Sequence, residues 1–175
     1  MQKRINITIR KMTINDIPEV RKIESLCFDE KWHDRAFEDD LTQKNSCYII
    51  AQYKNKLSGY MGAWFVGDEA HVTTIAVSPE FRGCGIGKLL AWKLLNTAID
   101  YGCRWATLEV SVKNEPAGNL YRSFGFSGIC NRKDYYQNGE EAEIMLARNI
   151  QFRSFKNRLE KIKREWEQKI CLSLE

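Results

Sequence analysis

Ile75-Ala76-Val77-Ser78-Pro79-Glu80-Phe81-Arg82-Gly83-Cys84-Gly85-Ile86-Gly87-Lys88 is the stretch on which the fold turns. Its first three residues end an apolar run, Pro79 closes that run, and a period near 3.6 begins at Ile86. Ile86, Leu89, Leu90, Lys93, Leu94, Ala98 and Ile99 lie along or beside one helical face, and Gly102 is a natural terminator. A strand therefore feeds a helix through a loop with three alternating glycines. Such a loop lets backbone N–H groups converge on an anion, and the helix N-terminus adds unpaired N–H groups and the positive end of its dipole. Arg82 and Lys88 add charge, so the expected guest is a phosphate or pyrophosphate.

Two commoner phosphate motifs fail here. A dinucleotide fingerprint needs glycine three places after Gly85, where Lys88 stands. A P-loop needs glycine where Arg82 is and Ser or Thr where Leu89 is. Taken alone, the loop is equally compatible with a strand–helix turn that simply requires small residues.

Outward from this loop the chain alternates strands and helices. Residues 5–10 alternate apolar and polar, and Thr13 with Asp16 forms a candidate capping box for a helix over 15–26. A short helix is predicted over 34–43. Runs at 47–53, 57–66 and 70–77, separated by Lys54-Asn55-Lys56 and Gly67-Asp68, read as an antiparallel meander. Residues 105–112 form a strand with Trp105, Thr107, Glu109 and Ser111 on one face. Asn114 caps a short helix with Pro116 in its first turn, ending at Gly125. Residues 128–134 and 141–147 flank Asn138-Gly139 as a hairpin. The order predicts an α/β fold with a mixed sheet.

The 175 residues suffice for one sizeable core, and 43% apolar with 29% charged residues is ordinary for a soluble globular chain. No apolar run is long enough to span a membrane and the basic start lacks a signal-peptide core, so a cytoplasmic protein is expected. The six cysteines form no CxxC pair and lie far from both histidines in sequence, which argues against a metal site and for reduced thiols. The eight basic and four acidic residues from Arg148 onward carry the whole net charge of +4, so nucleic-acid contact is expected only through the tail, if at all.

Val77-x-Pro79-x-x-Arg82-Gly83-x-Gly85-x-Gly87 resembles the acetyl-CoA motif of the GNAT superfamily of N-acetyltransferases. Asn114-x-x-Ala117-x-x-Leu120-Tyr121-x-x-x-Gly125-Phe126 is similar to the family's second signature, and the element order agrees over roughly residues 5–147. Leu108-Glu109-Val110, Arg132-x-x-Tyr135-Tyr136 and Ala142-x-x-Met145 resemble the ribosomal-protein alanine and protein N-terminal acetyltransferases within it. The resemblance implies the GNAT acyl-CoA N-acyltransferase fold for residues 1–147; residues 148–175, read from their own spacing as a basic amphipathic helix, extend beyond the usual domain end and depart from the family pattern. It implies acetyl-CoA as co-substrate. Ile75, Ala76 and Val77 would pair with its pantetheine arm, and the Val77 N–H would face the thioester oxygen. Arg82, Gly83, Cys84, Gly85, Ile86, Gly87 and Lys88 would hold the pyrophosphate, with Asn114 touching the cofactor further along.

The resemblance casts Glu109 as the base and Tyr121 as the general acid. It further implies an acceptor slot walled by Phe28, Trp32, Tyr135 and Tyr136. The acceptor it suggests is a protein N-terminus, possibly of a ribosomal protein. A polyamine, a lysine side chain and a catalytically silent CoA-binding module are the alternatives. For each side chain an ordinary structural role stays open: a salt-bridged strand acid for Glu109, core aromatics for the rest. Cys84 reads as a tolerated loop residue. Phe152, Phe155, Leu159, Ile162, Trp166 and Ile170 make one apolar stripe on a helix of about 20 residues. That stripe can pack on the body, form a homodimer, or leave its basic flanks for an acidic partner such as RNA.

Overall fold

The computed structural model describes residues 5–28, 36–167 and 170–174. Period-two burial makes β1 (Ile5–Lys11), with Ile7 and Ile9 fully inside. A 3-10 turn (Ile14–Asp16) leads into α1 (Ile17–Cys27), and Thr13 with Asp16 forms the expected capping box. Arg10 of β1 grips the same Asp16 carboxylate with bonds of 2.7 and 2.8 Å. Then follow α2 (Ala36–Thr42), β2 (Ser46–Tyr53), β3 (Lys56–Val66), β4 (Glu69–Val77), α3 (Ile86–Tyr101), β5 (Trp105–Ser111) and α4 (Glu115–Ser123). The chain finishes with β6 (Ser127–Arg132), β7 (Ala142–Ala147), α5 (Arg153–Glu167) and β8 (Ile170–Leu174).

Among the described residues one sheet has the order β6-β7-β5-β4-β3-β2-β1-β8. The β4–β5 and β1–β8 pairs are parallel and the others antiparallel, so the predicted mixed sheet is what forms. One face carries α3, Tyr121 and Phe124 at the end of α4, and the α5 stripe over Ile7, Met61, Ala70, Val72 and Leu108. The other face carries α1 and Phe37 of α2 over Tyr48, Ile50, Tyr60 and Ala76. These two layers put the sheet's polar pleat between α1, α2 and the β6–β7 connection.

Two sequence expectations shift, and one left open is decided. The expected hairpin forms, but its strands stop at Arg132 and restart at Ala142 where 134 and 141 were expected, and Tyr135 and Tyr136 both donate their N–H to Glu140 O within the loop between them. The tail helix stops at Glu167, and Ile170 pairs with Ile5 in β8 instead of ending the helical stripe. Phe155, Leu159, Ile162 and Trp166 are buried in the same cluster as Leu89 and Trp92, so the stripe packs on this chain's own body. The apolar face that suggested a homodimer is thereby covered over Phe155–Trp166, while Phe152 at its start is exposed. The predicted helix over 34–43 starts partly outside the described residues. No helix among the described residues is long and apolar enough to cross a membrane.

Candidate active site

Strand β4 changes face partway along. Ala70 and Val72 point into the α3 side of the core, yet beyond them Ile75 and Val77 point to that side and Ala76 to the other. The switch is a β-bulge: Ala63 pairs with Val72 and Gly62 with Thr74, leaving Thr73 as the extra residue. Pairing between β4 and β5 runs only from Glu69↔Trp105 to His71↔Thr107 and ends as the bulge begins. Beyond it, β4 is paired to β3 and β5 to β7, and the two strands part. A cleft of about 740 Å³ opens there, with Val72–Ile75 on one wall and Leu108–Ser111 on the other.

Glu109 stands on the second wall. Leu108 and Val110 turn into the core, so the alternation of β5 faces Glu109 into the cleft, its side chain 21% exposed. Its Oε2 lies 3.4 Å from His71 Nε2. His71 Nδ1 is 2.9 Å from Thr107 Oγ1, and that hydroxyl donates to Glu69. With its single proton given to Glu69, Thr107 Oγ1 can only accept from His71, which fixes the proton on Nδ1 and turns Nε2 toward Glu109.

Tyr121 reaches the cleft from α4, 4% exposed, with its ring edge-on to Phe126 at 5.6 Å. Burial, and secondarily the nearby Tyr136, pushes its hydroxyl well above the usual phenol range, so it keeps its proton. Asn114, the N-cap of α4, accepts from Ala117 N–H at 3.2 Å and also lines the cleft.

On the acceptor side the structure brings Phe28 and Tyr136 to the cleft. Phe28 is 39% exposed and so is not core. Tyr136 has its hydroxyl pushed up to about 12 by burial, then by Tyr135 and the charges of Glu109 and Glu140. Tyr135 stands behind it, edge-on at 5.0 Å and under the Arg132 guanidinium, outside the lining. Trp32 lies outside the described residues.

The glycine loop sits where β4 ends. Gly83 and Gly85 have φ of +76° and +83°, which side chains resist, and no atom lies within 4 Å of a Cβ added at Gly83. Gly85 caps α3, so the N–H groups of Ile86, Gly87 and Lys88 have no partner inside the helix. Ile86 turns its side chain into the core and offers only backbone, while Gly87 lies against Val77, Ile75 and Leu120. Cys84 is half-buried. Arg82 folds back, giving its Nε to Val77 O at 3.3 Å and Nη2 to Cys27 Sγ at 3.4 Å. A cup of N–H groups without partners inside the helix, beside the edge of β4 left open where β5 parts from it, fits an acyl-CoA, with phosphates at the helix and an extended arm along Ile75–Val77. Among the described residues no cluster fit for a metal ion occurs.

Sequence reasoning missed His71, Trp64 and Asp40, which share the cleft's polar face with Glu109. The signal for the first was present: the paired threonines 73 and 74 mark where the apolar alternation of β4 changes phase. Counting faces back from there puts His71 beside Thr107.

The Acetyltransferase (GNAT) family model matches residues 17–126. A Bacillus subtilis (strain 168) protein, provisionally named a ribosomal protein bS18-alanine N-acetyltransferase, is 37% identical over 139 residues, covering 78% of this chain and 92% of its own. The N-alpha-acetyltransferase RimI of Mycobacterium tuberculosis (strain ATCC 25618 / H37Rv) is 34% identical over 149 residues, covering 79% of this chain and 90% of its own. The crystal structure of the ribosomal-protein-S18-alanine N-acetyltransferase from Escherichia coli superposes with a TM-score of 0.76 at 27% identity, covering 82% of this chain and 94% of that one.

Proposed function

Because this chain belongs to the GNAT family and is an acetyl-CoA-dependent N-acetyltransferase, we propose that its acceptor is the N-terminal α-amine of a protein. The observation that carries this reading is a single cleft faced by Glu109 and Tyr121, opening where β4 and β5 part and bordered by Tyr136. Relatives named for N-alpha or ribosomal-protein alanine acetylation support the choice of acceptor, and a ribosomal protein is the first candidate.

The bound co-substrate supplies an acetyl thioester, and the chain's residues do the rest. An amine attacks only when neutral, so its proton must leave first; Glu109 accepts it, directly or through one water. His71, held at Nδ1 by Thr107, packs against Glu109 as a positioning residue that limits how far the carboxylate can turn. Collapse of the tetrahedral adduct expels a thiolate; Tyr121, kept protonated by burial, donates to it and is reprotonated by the second proton that the adduct's nitrogen sheds. The Val77 N–H stabilises the oxyanion that forms between these steps. The partner-free N–H groups at the start of α3, with Lys88 beside them, hold the pyrophosphate.

The test is release of free CoA thiol over a panel of N-terminal peptides, internal-lysine peptides with blocked N-termini, and spermidine. Turnover on the free N-termini is expected, at kcat/KM at least about tenfold above the other two. A preference for spermidine or internal lysine overturns the acceptor assignment. Acetyl-CoA binding with no turnover on any acceptor overturns catalysis.

A further inference from the structure

Two strands away from Glu109, the same polar face carries a second set of groups that acetyl transfer does not use. Asp40 of α2 lines the cleft, and its Oδ2 accepts two hydrogen bonds, from Tyr48 Oη at 2.6 Å and Trp64 Nε1 at 3.1 Å. Among the described residues its Oδ1 accepts none. The Tyr48 ring lies flat over Gly62, where a Cβ would come within 2.3 Å of it; the glycine lets this hydroxyl reach Asp40. Tyr48 is 3% exposed, and burial, followed by Asp40 itself, pushes its hydroxyl far above the usual range, so it always donates. Trp64 is 38% exposed and also lines the cleft, so its ring stands open beside the carboxylate.

A carboxylate held rigid by two donors, with a free oxygen and an open indole beside it, matches a guanidinium or ammonium. The cation can accept the carboxylate's charge and lie on the ring. Resting on the N-terminal acceptor reading, we infer that Asp40 and Trp64 form a subsite for a cationic side chain near the start of the acceptor peptide. Register fixes the reach: Trp64 pairs with His71 and His71 with Thr107, two residues before Glu109. Strands about 4.8 Å apart put Trp64 roughly 10 Å from Glu109's strand. An extended peptide advances about 3.3 Å per residue, so an arginine or lysine at the second or third position spans the gap.

Synthetic hexapeptides differing only in Arg, Gln or Glu at position two or three test this in the thiol-release assay. Wild type is expected to favour Arg over Gln by about tenfold in kcat/KM, through KM, with Glu poorest and the preference shrinking as salt rises. Asp40→Asn keeps an accepting oxygen and removes the charge; its Arg-to-Gln ratio should fall to about twofold. The ratio is read within each variant and does not depend on how much of it folds. Equal use of all three peptides by wild type, or an undiminished ratio in Asp40→Asn, overturns the subsite and leaves the N-terminal reading standing. Turnover of spermidine with none of any hexapeptide overturns both.

Discussion

At the scale of single residues, the site separates two proton tasks by burial. Tyr121 is sealed and holds its proton, while Glu109 is partly open and sits against His71. Glu109→Gln is expected to lower kcat about a hundredfold near neutral pH, with a smaller loss at alkaline pH where the amine is already free. Acetyl-CoA affinity should survive in it. Stopped-assay pH profiles check this, and a wild-type profile would remove Glu109 as the base. Tyr121→Phe is expected to lose at least tenfold in kcat while the Kd for acetyl-CoA, measured by calorimetry, changes little. A parallel loss of affinity would make Tyr121 a packing residue only. Both side chains stood out in the sequence because each lies inside a recognisable run. His71 and Asp40 did not, since their meaning depends on strand register and on a helix packed across the sheet.

At the scale of elements, an ion pair between Arg10 and Asp16 ties the start of the first helix to the sheet. Asp16 accepts from Arg10 and from Thr13 N–H and Oγ1, and these contacts, with Arg10 first, lower its pKa to about 2 against the desolvation of burial. A carboxylate ordinarily titrating near ~3.9 therefore adds stability that is fully present above that value and is lost as pH falls toward about 2. Asp16→Asn should be less stable than wild type at pH 6 in urea melts, with the gap closing between roughly pH 4 and pH 2. A constant gap down to pH 2 would deny the linkage. The elements were largely legible in advance because each strand and helix on the conserved order of the fold carries its own period. Two features escaped. β8 is too short to announce itself after a helix whose basic, apolar-striped pattern runs on in the sequence through Ile170. The bulge is one residue, Thr73, and its trace in the sequence is only the change of apolar phase between Ala70–Val72 and Ile75–Val77, which a reading of the run as one continuous strand passes over.

At the scale of the whole molecule, the tail is part of the core. Phe155, Leu159, Ile162 and Trp166 join one cluster with α3 and the sheet, and β8 extends the sheet beyond β1. Burying four such side chains contributes ~1.5–3 kcal/mol each, comparable with the ~5–15 kcal/mol net stability of a domain. We propose that residues 1–147 do not form an independent unit, and that ending the chain at Ala147 will lower Tm by more than about 10 °C. Calorimetry decides it; an unchanged Tm would return the tail to the status of an appendage. The bulge at Thr73 carries a cost of another kind. It keeps β4 from completing its pairing with β5, so the sheet gives up several backbone hydrogen bonds in order to stay open at its centre. Removing Thr73 would put Val72 and Thr74 on consecutive partners of β3 and let the two parallel strands zip together. The result would be a sturdier protein with its cleft sewn shut, which marks this one extra residue as the place where the fold trades robustness for work.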